Sequence, residues 1–169
     1  MVTIRPGTPQ DGVGIGDVHA ESWRVGYQGL FPPDDLAAAV ERRRRMWTGG
    51  SAVFGLNGGT LLIAESEQIT GFIHFGPSSA REKIGEVYGF YVHPSAWGKG
   101  TAQALMAEAL ISLASSFTRA ILWTNARAGR ARRFYSKSGW TQTGVERTER
   151  LWDGLDYPAV EYDHSLDQA

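Results

Sequence analysis

Apolar and polar positions along the chain change their period several times, and each change marks an element. Val2 to Arg5 reads as a short strand, and Thr8-Pro9-Gln10-Asp11 as a helix entry. The helix it opens carries Ile15, Val18, His19 and Ser22 on one face and is weakened by Gly12, Gly14 and Gly16. Pro32-Pro33-Asp34-Asp35 starts a second helix that reaches about Trp47 and is ended by Gly49 and Gly50. The period then becomes strand-like: Leu61 to Glu65 and Ile69 to Phe75 form a hairpin joined near Glu67-Gln68. Glu86 to Val92 carries bulky residues on both faces (Tyr88, Phe90 and Val92; Val87 and Tyr91), as a central strand covered on both sides does. Thr101 to Ser115 is an amphipathic helix with Met106, Leu110 and Leu113 on one stripe. Ala120 to Thr124 is a strand, and Gly129 to Ser138 a helix stopped by Gly139. Trp140 to Leu151 and Tyr157 to His164 are two closing strands that turn at Asp153-Gly154. The order β-α-α-β-β-β-α-β-α-β-β predicts a mixed α/β sheet with a ligand loop at the carboxyl end of a central strand.

Composition narrows the function classes. At 169 residues, the size prior gives one domain over residues 1–169, and 42% apolar residues are enough to fill its core. The formal net charge of −1 argues against broad electrostatic binding to nucleic acid or an anionic membrane. The absence of cysteine removes disulfides, thiolate metal sites and a cysteine nucleophile together. No apolar run is long enough to span a membrane, and Met1-Val2-Thr3-Ile4-Arg5 starts no signal-peptide pattern, so the expected compartment is the cytoplasm. His19, His74, His93 and His164 show no close-spaced ligand pattern, so no metal is expected. Arg42-Arg43-Arg44-Arg45 reads as a solvated helix face.

The chemistry concentrates where the central strand runs through Val92-His93-Pro94-Ser95-Ala96-Trp97 into Gly98-Lys99-Gly100-Thr101-Ala102-Gln103 and a helix begins. The first turn of a helix leaves N–H groups without partners, and the helix dipole adds partial positive charge there. Such a joint suits a phosphorylated ligand, while its bland alternative is a structural strand-loop-helix corner. It is not a P-loop, because the lysine stands between the glycines and the upstream glycine is missing. It is not a complete dinucleotide fingerprint, because Gln103 stands where a third glycine or alanine is needed.

What the stretch resembles is the acyl-CoA loop of the GNAT superfamily of N-acetyltransferases, [Q/R]-x-x-G-x-[G/A] after a strand ending like L-Y-V-H-P. Phe90-Tyr91-Val92-His93-Pro94, Gly100 and Ala102 fit, and Trp97 stands at the Gln/Arg position. Ala131-Arg132-Arg133-Phe134-Tyr135-Ser136-Lys137-Ser138-Gly139-Trp140 resembles the downstream N-x-x-A-x-x-F-Y-x-x-x-G-[FW]. Ala128 occupies its Asn position, and Asn125 lies three residues earlier. A looser likeness covers His19 to Arg24 and Tyr27 to Pro32.

The resemblance implies a mixed, mostly antiparallel central sheet flanked by helices, with acetyl-CoA as co-substrate and no metal. It places the diphosphate on the amides of Gly98, Lys99, Gly100, Thr101, Ala102 and Gln103, near Trp97. The pantetheine arm would lie along Phe90, Tyr91 and Val92, and Arg133 near the adenosine phosphate. Tyr135 becomes the candidate general acid, with packing beside Phe134 as its structural alternative. Glu86 becomes the candidate base, direct or through a water, or else a solvated strand-end carboxylate. Glu21, Trp23, Tyr27 and Phe31, with Trp152, Asp153 and Tyr157, would wall the acceptor pocket, where aromatics with carboxylates suit a cationic amine. With no cysteine, direct attack in a ternary complex is expected, on a small-molecule amine. Acetylation of a protein N-terminus or lysine, and a non-catalytic acyl-CoA sensor, are the alternatives. A homodimer through the last strands fits the resemblance.

Overall fold

The computed structural model describes residues 1–49 and 58–167; Gly50, expected to help end the second helix, lies outside them. The strands are β1 (Thr3–Pro6), β2 (Thr60–Glu65), β3 (Ile69–Pro77), β4 (Gly85–Val92), β5 (Arg119–Asn125), β6 (Thr141–Arg150) and β7 (Asp156–Ser165). The helices are α1 (Gly12–Gly26), α2 (Pro33–Arg45), α3 (Thr101–Ala114) and α4 (Gly129–Lys137). The strands make one sheet in the order β1-β2-β3-β4-β5-β7-β6, antiparallel everywhere except between β4 and β5. The first helix begins later than its sequence signal, because Pro9–Asp11 forms a separate 3-10 turn with Asp11 bonded back to Thr8.

Two features of the centre create a site. First, β4 and β5 pair only at Gly85–Ala120, Glu86–Ile121 and Val87–Leu122, so the strands fork beyond Val87. Second, His74 pairs Gly89 while Phe75 pairs Val87, which leaves Tyr88 as the extra residue of a β-bulge. The bulge restores a common face to Val87, Phe90 and Val92, which all meet the core under α3 and α4. Tyr91 turns to the other face, against Phe72 and the α1 side.

Both faces of the sheet are filled. Leu105, Met106, Ala109 and Leu113 of α3 pack on Ile73, Phe75 and Val87. Ile15 and Val18 of α1 pack on Leu61, Ile63 and Phe72. The glycines of α1 are not simple weak points. A Cβ on Gly12 would lie 2.1 Å from the Trp47 carbonyl oxygen, and one on Gly16 would lie 2.3 Å from that of Arg44. Bare backbone at these two positions lets the end of α2 lie directly on α1.

The arginine run departs from the solvated-face expectation. Arg43 is 1% exposed, bonds the Asp153 carboxylate at 2.7 Å and lies 3.5 Å over the Trp23 ring. Arg42 reaches the same carboxylate at 3.1 Å, and Arg44 pairs with Asp17 and Glu21. A charge buried this deeply is tolerable only when paired, and Asp153 supplies the pair from the turn between β6 and β7. The far hairpin is thereby fastened to α1 and α2. Among the described residues, no helix is long and apolar enough to cross a membrane.

Candidate active site

The fork between β4 and β5 opens a groove of about 640 Å³. One end is walled by the loop from Trp97 to Gly100, the start of α3 and the side of α4; the other by Tyr27, Gln28 and Leu30 after α1, and by Tyr157. Because the strands have parted, the groove passes from one face of the sheet to the other.

At the α3 end, main-chain donors stand free. Gly98 (φ 74°) and Gly100 (φ 87°) are in the left-handed region, and a Cβ on either would meet open space. Their left-handed backbone is one that side chains with a Cβ rarely adopt, and the space beside each is open. The first helical bond of α3 runs from the Ala104 amide to the Gly100 carbonyl at 3.0 Å. Among the described residues, the amides of Gly98, Gly100, Thr101, Ala102 and Gln103 have no protein acceptor. The Lys99 amide makes only a long contact, 3.4 Å, to Ala96. The Lys99 and Thr101 side chains lie outside the groove wall, and Thr101 is buried.

Trp97 is held on two sides. Its Nε1 donates to the Val92 carbonyl at 2.8 Å, and the Arg130 guanidinium sits 3.9 Å from its ring centroid. A cation at the head of α4 is thus placed beside the loop position where the resembling motif has Gln or Arg. Arg133 also lines the groove, whereas Arg132 is spent on Ala126, Gln142 and Tyr162. Phe90 packs against Phe134 and Tyr135 at ring separations of 5.5 and 6.4 Å.

Tyr135 lies mid-groove, 7% exposed, among Phe90, Phe134, Trp140 and Tyr162. Burial, reinforced by Tyr91 and Tyr162, pushes its phenol well above the ordinary value, so it keeps its proton. Tyr27, Tyr91 and Tyr157 line the same cavity. Burial raises Tyr27 and Tyr157 as well, and each phenol feels Tyr91. The sequence signals Tyr135 by its motif, but its convergence with Tyr27, Tyr91 and Tyr157, and with Tyr88 on the same wall, has no local signature.

Glu86 lies in the last paired stretch of the fork and takes a hydrogen bond from Ser78 at 3.1 Å. It is half-buried, and burial raises its carboxyl against the opposing effects of Ser78 and Arg147. It stands just outside the groove wall, next in the chain to Val87 and Tyr88, which line it.

Of the residues expected to wall the acceptor pocket, the groove takes in only two. Tyr27 and Tyr157 line the groove, but Glu21, Trp23, Phe31, Trp152 and Asp153 do not. Glu21 is taken by Arg24 and Arg44, which hold its carboxyl below the usual range. Asp153 is closed off beneath Arg42 and Arg43. Trp23 and Phe31 stack on each other in the core, and Trp152 is 61% exposed outside. In their place the structure brings in Trp123, Asn125 and Arg127. Asn125 is 1% exposed; its Oδ1 accepts the Arg127 amide at 2.9 Å, while its Nδ2 has no hydrogen-bond partner among the described residues. Also among the described residues, no group of His, Asp and Glu is arranged to hold a metal ion.

Both the sequence and the fold have counterparts among known proteins. Residues 57–142 match the family model of the acetyltransferase (GNAT) domain. The uncharacterized N-acetyltransferase YuaI of Bacillus subtilis is 29% identical over 127 residues, covering 73% of this chain and 71% of that one. Rv2775 of Mycobacterium tuberculosis, named as a probable N-acetyltransferase, is 28% identical over 164 residues, covering 95% and 92%. The fold is shared with the PaiA N-acetyltransferase of Thermoplasma acidophilum, solved in complex with coenzyme A, at TM-score 0.71 and 18% identity over 98% of this chain and 99% of that one. The chain belongs to the GNAT acetyltransferase family.

Proposed function

We propose that this acetyltransferase moves an acetyl group from acetyl-CoA to the amine of a small molecule, by direct attack within a ternary complex. The observation that carries the reading is the group of amides at Gly98, Gly100, Thr101, Ala102 and Gln103, without protein acceptors among the described residues, at the mouth of the fork, with the Tyr135 phenol lining the same groove. Amides aimed outward from a helix start bind a diphosphate through several short donors at once. Arg130, propped on Trp97, adds the fixed cation that the loop side chain lacks. Beyond Val87 the β4 backbone has no β5 partner, so its free edge at Phe90 and Tyr91 suits an amide-bearing arm; the Val92 carbonyl already accepts Trp97. Bound acetyl-CoA supplies the acetyl group as an activated thioester.

The chain's own residues then manage protons. The attacking nitrogen must arrive neutral, and Glu86, with its raised carboxyl, takes the proton through water. Tyr135 remains a phenol at working pH and donates a hydrogen bond to the departing sulfur. Full transfer to a thiolate with a pKa near about 8.5 is uphill for so weak an acid, so the proton lost by nitrogen balances the thiol that leaves. Tyr135→Phe should lower kcat by roughly 10²-fold with little change in coenzyme affinity.

Free-thiol release from acetyl-CoA across an amine panel, with calorimetry against coenzyme A, tests the reading. Micromolar binding and amine-dependent thiol release are expected. No affinity at millimolar coenzyme removes the proposal, and binding without turnover of any amine would favour a sensor. A homodimer through the last strands would use β6, one of the two edge strands of the sheet, and sedimentation at two concentrations checks it.

A further inference from the structure

The charge along the groove points to what the acceptor carries besides its amine. Among the described residues the wall contains Arg127, Arg130, Arg133 and Lys137, and no Asp or Glu. Three of these cations lie on α4, on the diphosphate side. Arg127 stands apart. Its amide is fixed by Asn125 Oδ1 at 2.9 Å, and its Nη2 crosses to the Leu30 carbonyl at 2.9 Å. Leu30 packs in the cluster of Tyr27 and Tyr157, so this guanidinium sits at the acceptor end. It makes no ion pair among the described residues. One of its five N–H donors goes to Leu30, which leaves the rest of the fork for a ligand. The nearby carboxylates that could have attracted a cationic amine, Glu21 and Asp153, are already neutralised by arginines.

We infer that the acceptor is an amine that also bears an anionic group, of the amino-carboxylate kind, and that Arg127 holds that group while the phenols of Tyr27 and Tyr157 flank it. The inference rests on the acetyl-transfer reading and deepens it. A planar guanidinium held through Nη2, on a backbone itself fixed by Asn125, meets a carboxylate with two parallel bonds and reduced loss of side-chain freedom. The same anchoring sets the distance between that carboxylate and the thioester, so the amine must lie close to it.

The test compares matched pairs that differ only by the carboxylate: L-leucine with isoamylamine, L-phenylalanine with phenethylamine, and L-lysine with cadaverine. In at least one pair the carboxylated member should show kcat/KM at least about tenfold higher, and Arg127→Gln should narrow that ratio while Arg127→Lys partly restores it. Calorimetry with the coenzyme A complex gives a readout apart from turnover: N-acetyl-L-leucine should bind more tightly than N-isoamylacetamide, and less so in the Gln variant. Equal use of both members, preference for the plain amines, or no carboxylate preference in any pair overturns the inference while coenzyme binding still stands. Loss of coenzyme binding in the unaltered protein would instead overturn the acetyl-transfer reading.

Discussion

Arg43 shows how much one side chain can decide. It joins three elements through Asp153 and Trp23, and none of its neighbours in the run of arginines does the same. Burial by itself would raise the Asp153 carboxyl, but the bond from Arg43, supported by Arg42, outweighs it and holds the carboxyl below its usual range. Arg43→Met leaves that carboxylate buried with only its more exposed partner, and the expected cost is about 3 kcal/mol in denaturant unfolding. Removing Asp153 as well should cost less than the two single changes together, a coupling that a double-mutant cycle reads directly. Sequence could not single out Arg43, since a run of four arginines looks the same from every side and the partner lies 110 residues away. Arg127 was hidden for the same reason, its contact being 97 residues distant.

His19 belongs to the same scale. Its Nδ1 accepts from Trp47 Nε1 at 2.9 Å, and its ring is enclosed by Trp23, Phe72 and Tyr91. Burial first, and the Arg43 charge second, push its pKa well below 6.5. The unfolded chain therefore binds a proton near pH 6.5 that the folded chain refuses, so stability falls as pH drops below that point. One histidine gives up to about 1.4 kcal/mol per pH unit. A thermal melting series from pH 7.5 to 5 should show the decline, and His19→Gln should flatten it in part, with buried His74 still contributing in the same direction.

Among the elements, α1 is the one whose composition misleads. Three glycines in a helix cost propensity, yet Gly12 and Gly16 are where the backbone of α2 touches. Gly16→Ala would drive a methyl into the Arg44 carbonyl and should cost about 1–3 kcal/mol. Gly26→Ala, with nothing within 4 Å, should be neutral or gain up to about 1 kcal/mol; chemical denaturation of both variants makes the contrast. By comparison, the loop after β4 was legible because its demands are local. Left-handed backbone at residues 98 and 100 calls for glycine, and a helix that starts at once leaves its amides free. Tyr135, by contrast, was singled out only through the resemblance of residues 131–140 to the GNAT motif. The bulge at Tyr88 left no such mark, since its effect depends on pairing with β3.

On the scale of the whole molecule, the chain is nearly neutral while its groove is basic. The net charge is −1, but the groove wall carries four cations and no acid among the described residues. A ligand with several phosphates should therefore associate more weakly as ionic strength rises from about 0.05 to 0.5 M, where the Debye length shrinks from roughly 14 to 4 Å. Calorimetry of coenzyme A against pantetheine should show the salt effect for the first and almost none for the second. The order of elements was readable from periodicity along the chain together with the resemblance to the GNAT motifs. The ion pairs that tie the turn between β6 and β7 to α2 were not, because they join residues that no short window contains.

The parting of β4 from β5 has one more consequence. Under the acetyl-transfer reading proposed above, a groove lined from both faces of the sheet gives each reactant its own doorway. Neither has to wait for the other to enter or leave, so the kinetic scheme need not impose a sequence of arrival. A bulky tail on the nucleophile could trail into solvent without blocking the exchange of spent coenzyme on the opposite side.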